Sequence, residues 1–163
     1  MKAACMRRWN KLPRWCRAAC IALAGICALM CFAQPLLTKN ECAAMIALGE
    51  RGKPYVLGAY GPVRYDCSGL VMKSYRDLGM ELMHSAKIVG YDEGYPTISS
   101  PLLLRSGDLV FFDTVSDSDS CDHVGFYLGM GRFVHASSSE GRVMVSRLDK
   151  DWLEKFSWGK RIL

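Results

Sequence analysis

The helix predicted after Tyr65 constrains the fold most, because it places a cysteine in its first turn. Apolar side chains recur at helical spacing from Cys67 to Leu78, and Gly79 stands where a helix commonly ends. Asp66 suits the N-cap, so Cys67 lies among the unpaired backbone N–H groups at the positive end of the helix dipole. Such a position favours a thiolate, the nucleophilic form of cysteine, over a thiol. We therefore predict a reactive cysteine here rather than a buried core cysteine.

Two of the three histidines fall on a predicted hairpin. Its strands begin at His123 and end at Ser137, around a glycine-containing turn. If that turn has three residues, Leu128 faces Arg132 and His123 faces Ser137. His135 is then the diagonal neighbour of His123 on the same face, which is close enough for the two imidazoles to meet.

A cysteine at a helix start and two imidazoles on a hairpin predict nucleophilic catalysis. Cys67 would attack, His123 would take its proton, and His135 would orient the imidazole of His123. Backbone N–H groups around Cys67 would stabilise the oxyanion of a tetrahedral intermediate. Tyr55, in the glycine-rich loop before the helix, suits a packing role and a hydroxyl contribution to the site equally well. His84 has no partner apparent in the sequence, so we expect a surface or packing role for it.

The first 33 residues have the layout of an export signal. Six basic residues precede the apolar run from Ala18 to Ala33, and no acidic residue precedes Glu41. The apolar run has about 16 residues, whereas a membrane span needs about 20. We expect residues 1–33 to be either a signal peptide or a retained N-terminal membrane anchor. Residues 34–163 would then form the exported, extracytoplasmic domain, secreted or tethered to the membrane.

The exported part is close to neutral in charge. The whole chain has 21 basic and 16 acidic residues, and the part after position 33 keeps 15 basic residues and all 16 acidic ones. The basicity therefore belongs to the leader, and nucleic acid is not an expected partner. The length suits one domain with a single core, which we expect to be a monomer.

Further helix, strand and turn patterns complete an α+β order. They are a capping box at Thr38–Glu41 that opens a helix through about Leu48, strands at Leu109–Phe112 and Arg142–Arg147, a short helix near Asp151–Phe156 and a strand near Trp158–Ile162. Residues 80–105 are predicted to be a long loop. Because loops of that length tend to be functional, we expect it to line the substrate cleft.

The cysteines and acidic residues of the exported part leave alternatives open. A Cys42–Cys121 disulfide suits an exported domain, and two reduced thiols are the other reading. The acidic loop 116–120 lacks the glycine and closing glutamate of a calcium loop, so we expect a solvated loop. Four residues are of zinc-ligand type, namely Cys67, Cys121, His123 and His135, but they lack the usual paired spacing. A zinc-binding domain without activity is therefore an alternative, while the hydrolase hypothesis requires no metal and no cofactor.

Three sequence blocks resemble the signature of the NlpC/P60 family of papain-like bacterial cell-wall cysteine peptidases. These blocks are Asp66–Val71, Gly107–Phe112 and His123–Gly129, and Gly52–Gly58 and Val134–Ser137 also match. The resemblance runs from about residue 40 to the C-terminus. It implies a single papain-like α+β domain in which the cysteine helix packs on an antiparallel sheet. It also implies a Cys67, His123 and His135 triad.

The resemblance further implies hydrolysis of peptidoglycan stem peptides, often between D-glutamate and a diamino acid. In relatives, the tyrosine matching Tyr55 lies on the oxyanion side, and residues matching Asp66 and Ser68 line the cleft. Many relatives carry an arginine-containing segment where this chain has Leu82–Ser85. An amidase or acyltransferase that uses the same thiolate is the alternative activity, because the pocket decides between these reactions.

Overall fold

The first helix begins at the capping box that the sequence indicates. The computed structural model describes residue 13 and residues 37–115 and 121–162, and in it α1 runs over Lys39–Gly49. The Glu41 N–H donates to the Thr38 hydroxyl at 3.2 Å, and the Thr38 N–H donates to the Glu41 carboxylate at 2.8 Å. This exchange satisfies two N–H groups that a helix start otherwise leaves unpaired.

The cysteine helix, α2, runs over Cys67–Arg76 with Asp66 as its N-cap. The Gly69 N–H donates to the Asp66 carboxylate at 2.6 Å. At the other end Gly79 has a φ of 78°, and the N–H groups of residues 79 and 80 donate to carbonyls of the last helical residues. This pattern is a Schellman motif with glycine at C′. Both predicted ends of the helix are confirmed.

A six-stranded antiparallel sheet forms the other half of the fold. Its strands are β1 Thr97–Ile98, β2 Leu109–Phe112, β3 His123–Gly129, β4 Arg132–Ser137, β5 Arg142–Arg147 and β6 Phe156–Lys160. They lie side by side in the order β1-β6-β2-β3-β4-β5. The single antiparallel sheet with helices packed on it confirms the predicted α+β class.

The sheet buries both of its faces. On one face α1 and α2 cover a large cluster that includes Leu70, Tyr75 and Phe126. The opposite face carries a smaller cluster around Phe112 and Phe133. Because successive side chains of a strand point to opposite faces, the apolar run of β2 supplies both clusters.

The β3–β4 hairpin keeps the predicted alignment near its middle. Phe126 pairs with Val134, and Tyr127 pairs with Phe133. The three-residue turn assumed from the sequence gives the same two pairs. The alignment therefore leaves the two histidine positions on a common face.

The tip of the hairpin differs from the prediction. Gly129, rather than Leu128, pairs with Arg132, and the register shifts by one residue there. The turn then has two residues, Met130 and Gly131, with φ values of 54° and 66°. Positive φ at both turn positions is the pattern of a type I′ turn, whose twist matches that of paired strands. Leu128 becomes a bulge residue instead of a paired one.

The predicted loop 80–105 contains three short elements. They are helix α3 over Ala86–Tyr91, strand β1 and a 3₁₀ turn over Pro101–Leu103. The Trp158 indole N–H donates to the Gly90 carbonyl at 3.0 Å, and a Cβ on Gly90 would lie 2.8 Å from the Cys121 sulfur. Contacts from distant segments therefore support α3, and the local sequence pattern does not predict this helix.

The C-terminal elements begin earlier than predicted. Helix α4 spans Lys150–Lys155, and β6 follows it without a connecting residue. Asp149 occupies the N-cap without a side-chain capping bond. The sequence therefore gives only weak signals for the boundaries of α4 and β6. The pairing of β6 with β2 sets these boundaries.

The leader 1–33 and the acidic loop 116–120 of the sequence analysis lie outside the described residues, apart from position 13. Among the helices that are described, none has the length and apolar character to cross a bilayer. Cys42 and Cys121 are not joined by a disulfide. The Cys121 thiol instead donates to the Ala86 carbonyl at 3.5 Å.

Candidate active site

Cys67 lies at the first residue of α2, with its sulfur against the start of β3. The sulfur is 3.9 Å from the carbonyl oxygen of Asp122 and accepts a hydrogen bond from the N–H of Val124. The N–H groups of Cys67 and Ser68 also donate to it. The sulfur thus contacts the residues on either side of His123 in the chain.

Burial governs the protonation of this thiol. It raises the pKa of Cys67 to about 11, and the charge of Asp66 acts in the same direction. The surrounding backbone N–H groups lower the pKa by a smaller amount. The helix start therefore does not by itself produce a thiolate at neutral pH, contrary to our expectation. The thiol needs a neighbouring base that accepts its proton during the reaction.

The two predicted hairpin histidines are hydrogen bonded to each other. Nε2 of His123 lies 2.8 Å from Nδ1 of His135, and Nε2 of His135 lies 2.9 Å from the Ser146 hydroxyl. The sequence analysis missed Ser146. It lies on β5, diagonal to His135 in the pairing of β4 with β5. The rule that brought the two histidines together would have found it once that pairing was known.

Aromatic rings enclose the histidine pair. The Trp152 ring centroid lies 5.8 Å from that of His123 and 5.2 Å from that of His135. Phe112 packs against His123, and Phe133 packs against His135. Burial lowers the pKa of His123 to about 4 and the pKa of His135 to about 3, the latter also through the charge of His123. Both rings are therefore neutral at pH 7.

The carboxylate of Asp66 ties together the segments around the cysteine. It is buried and accepts the N–H groups of Gly69 at 2.6 Å and Gly58 at 2.7 Å, and the hydroxyl of Ser68 at 3.2 Å. Nε2 of His84 lies 3.0 Å from the same group. His84 therefore has a partner that is not apparent in the sequence. The contact comes from chain folding over 18 residues, which no local pattern reveals.

Tyr55 lies close to the cysteine as well. The pKa of its phenol is raised, chiefly by burial and then by the charges of Cys67 and Asp66. The Tyr55 N–H donates to the Gly141 carbonyl at 2.8 Å, which anchors the loop at the edge of β5. The structure thus brings Tyr55, Asp66 and Ser68 to the cysteine end of α2.

The zinc alternative finds no support in the geometry. Within residues 37–115 and 121–162, no three His, Cys, Asp or Glu side chains converge in a group that would hold a metal ion. The four residues of zinc-ligand type therefore do not form a cluster.

Comparison with known proteins adds to these observations. The model of the NlpC/P60 family matches residues 52–162. "Probable endopeptidase YafL" of Escherichia coli K12 is 37% identical over 117 residues, which cover 70% of this chain and 46% of the relative. "Murein DD-endopeptidase MepS/Murein LD-carboxypeptidase" of the same organism is 36% identical over 115 residues, covering 69% of this chain and 57% of the relative. The chain thus spans about half the length of the curated relatives that it matches.

A solved structure agrees in fold. NlpC1 from Trichomonas vaginalis superposes with a TM-score of 0.69 at 28% identity, covering 78% of this chain and 45% of that one. The resemblance inferred from the sequence blocks is confirmed.

Proposed function

Because the chain belongs to the NlpC/P60 family, we propose that its domain is a cysteine endopeptidase that hydrolyses peptidoglycan stem peptides. The observation that carries this proposal is the contact of the Cys67 sulfur with the backbone on either side of His123, whose imidazole is hydrogen bonded to that of His135. The relatives whose names specify murein endopeptidases support peptidoglycan as the substrate. The bond would be of the D-glutamyl–diamino acid type that the family resemblance implies.

The hydrogen bonds of the imidazoles support the roles that we propose for them. For His123 to accept the thiol proton at Nδ1, its Nε2 must carry hydrogen and donate to Nδ1 of His135. His135 then carries hydrogen on Nε2 and donates to the Ser146 hydroxyl. Ser146 and His135 therefore hold His123 in the tautomer that a general base needs. His135 is a positioning residue in this scheme, and His123 is the base.

The reaction proceeds through a thioester. The Cys67 sulfur forms a bond to the peptide carbonyl carbon as its proton passes to His123, and His123 then gives that proton to the departing amine as the C–N bond breaks. Water, deprotonated by His123, attacks the thioester and releases the acid and the thiol. The backbone N–H of Cys67 and the hydroxyl of Tyr55 would stabilise the oxyanion in both steps.

Burial shapes the energetics of the base. Since desolvation opposes a charge on His123, its imidazolium is a stronger acid than an ordinary histidine and returns its proton more readily to the leaving amine.

Peptidoglycan lies outside the cytoplasm, so the domain would act there after export or on an N-terminal tether formed by residues 1–33. We propose a monomer that recognises the peptide directly.

Muropeptides of defined structure, digested with the purified full-length chain and analysed by mass spectrometry, test this function. We expect fragments cut between D-glutamate and the diamino acid, none with Cys67→Ala, and unchanged cleavage with Cys42→Ala, which removes a thiol elsewhere. Release of whole stem peptides from the glycan would instead identify an amidase. Transfer of the acyl group to an added amine would identify an acyltransferase. Intact muropeptides with wild-type protein would refute the proposal.

A further inference from the structure

A cavity of about 260 Å³ adjoins the histidine pair. The imidazoles of His123 and His135 line it, together with Trp152 and Lys155 of α4. Thr114 and the serines at positions 137–139, at the end of β4 and just after it, complete the lining. The mechanism described above uses only the imidazoles, so the serines and the lysine have no assigned role.

Positive charge at this cavity comes from Lys155. Its ammonium group lies 5.7 Å from the centre of the Trp152 ring, as a cation over an aromatic face does. Among residues 37–115 and 121–162, the ion pairs of the structure do not include Lys155. Lys150, on the same helix, lies 4.0 Å from Glu154 instead. Lys155 is thus the cation of α4 that is available to an anion.

The hydroxyl groups that line the cavity differ in their partners. The Thr114 hydroxyl is bonded to the Asp122 carboxylate at 2.9 Å, so a negative charge lies beside it. Ser137 accepts the Glu140 N–H at 3.2 Å, and its hydroxyl lies 3.1 Å from that of Ser139. Lys155 and the serine hydroxyls are therefore the lining groups that can bind an anion.

The position of the cavity says which part of a substrate it would hold. His123 gives its proton to the departing amine. The half of the peptide that carries this amine must therefore lie on the imidazole side of the cysteine. We propose that Lys155, with the hydroxyls of Ser138 and Ser139, binds a carboxylate of the departing fragment. This specificity rests on the proposed peptidase function. It makes the enzyme selective for departing fragments with free carboxylates over those with carboxamides.

Two synthetic stem peptides test the proposal, one with free carboxylates on the departing fragment and one with those groups converted to carboxamides. We expect the wild-type full-length chain to cleave the first with a kcat/KM about fivefold to tenfold higher, mainly through KM. Lys155→Gln should abolish this preference, and Lys155→Arg should retain it. Lys150→Gln, which removes a charge from the same helix, should leave it unchanged. Equal cleavage of both peptides by wild-type protein, or an equal loss on both with Lys155→Gln, would overturn the proposal.

A binding measurement separates this proposal from the peptidase function. Titration calorimetry of the departing dipeptide alone, as free acid and as amide, requires no cleavage. Tighter binding of the acid that is lost in Lys155→Gln supports the carboxylate site even if neither stem peptide is cut. Equal binding of acid and amide refutes the site even if the enzyme is active.

Discussion

Burial of the histidine pair should make the fold sensitive to mild acid. In the folded chain the pKa of His123 is about 4 and that of His135 about 3, against an ordinary value of 6.5. Below pH 6.5 the unfolded chain therefore binds protons that the folded chain does not. Stability is fully present above that pH and falls as the pH drops toward 4.

The size of the effect follows from these pKa values. At pH 5 an unfolded histidine is almost fully protonated, whereas either buried ring is still neutral. Taking 1.36 kcal/mol for each pH unit, each ring costs about 2 kcal/mol of unfolding free energy between pH 7 and pH 5. The pair therefore costs about 4 kcal/mol, a large part of the 5–15 kcal/mol that is typical of a domain.

Urea unfolding followed by tryptophan fluorescence at pH 7 and pH 5 measures this loss. The comparison is between wild-type protein and His135→Gln, an uncharged side chain of similar reach. The carboxylates are identical in both proteins, so their titration cancels in the difference between the two pH-dependent losses. We expect the wild-type loss to exceed that of the variant by about 2 kcal/mol.

The variant is also expected to be less stable at pH 7, because it repacks the contact with Phe133 and Ser146. That offset appears at both pH values and does not enter the comparison. Equal losses in the two proteins, within about 0.5 kcal/mol, would mean that His135 charges without unfolding. The buried, neutral pair and the tautomers assigned to it would then be incorrect.

Two predictions concern stability at other positions. In Gly69→Ala the new Cβ would overlap the Ala59 carbonyl oxygen, so we expect urea unfolding to show a loss of about 3 kcal/mol in unfolding free energy. The control Gly49→Ala has no atom within 4 Å of the added Cβ, so its unfolding free energy should be unchanged or higher by up to about 1 kcal/mol. Equal effects of the two substitutions would contradict the close approach at Gly69. Arg161→Met leaves the buried Asp108 carboxylate without two hydrogen bonds of 2.7 and 2.8 Å. We therefore expect the unfolding free energy to fall by about 3 kcal/mol and the melting temperature to decrease. An unchanged melting temperature would refute a stabilising role for this ion pair.

Features with a local signal were predictable from the sequence. Asp66 and Gly79 mark the two ends of α2 through capping preferences that act within one helical turn. The alternation of strand side chains placed His123 and His135 on one face, and an error of one residue at the turn did not reach them. Short-range rules thus sufficed for the helix and for the histidine pair.

Features that depend on folding between distant segments were not predictable. The His84 contact with Asp66, the Ser146 contact with His135 and the Trp152 packing over both imidazoles join residues from separate elements. The pKa of Cys67 belongs to the same class. Burial is the largest cause of the increase in this pKa. A sequence motif indicates where the helix begins, but it does not indicate how far the fold shields the thiol from water.

The bulge at Leu128 has a consequence for engineering. It takes up the offset between the two strands, so the exposed turn residue Met130 lies beyond the point where the pairing resumes its regular alignment. A change in turn length can be absorbed at that kink before it reaches the paired region. The end of this hairpin is therefore a suitable attachment point for a peptide tag or a fluorescent probe.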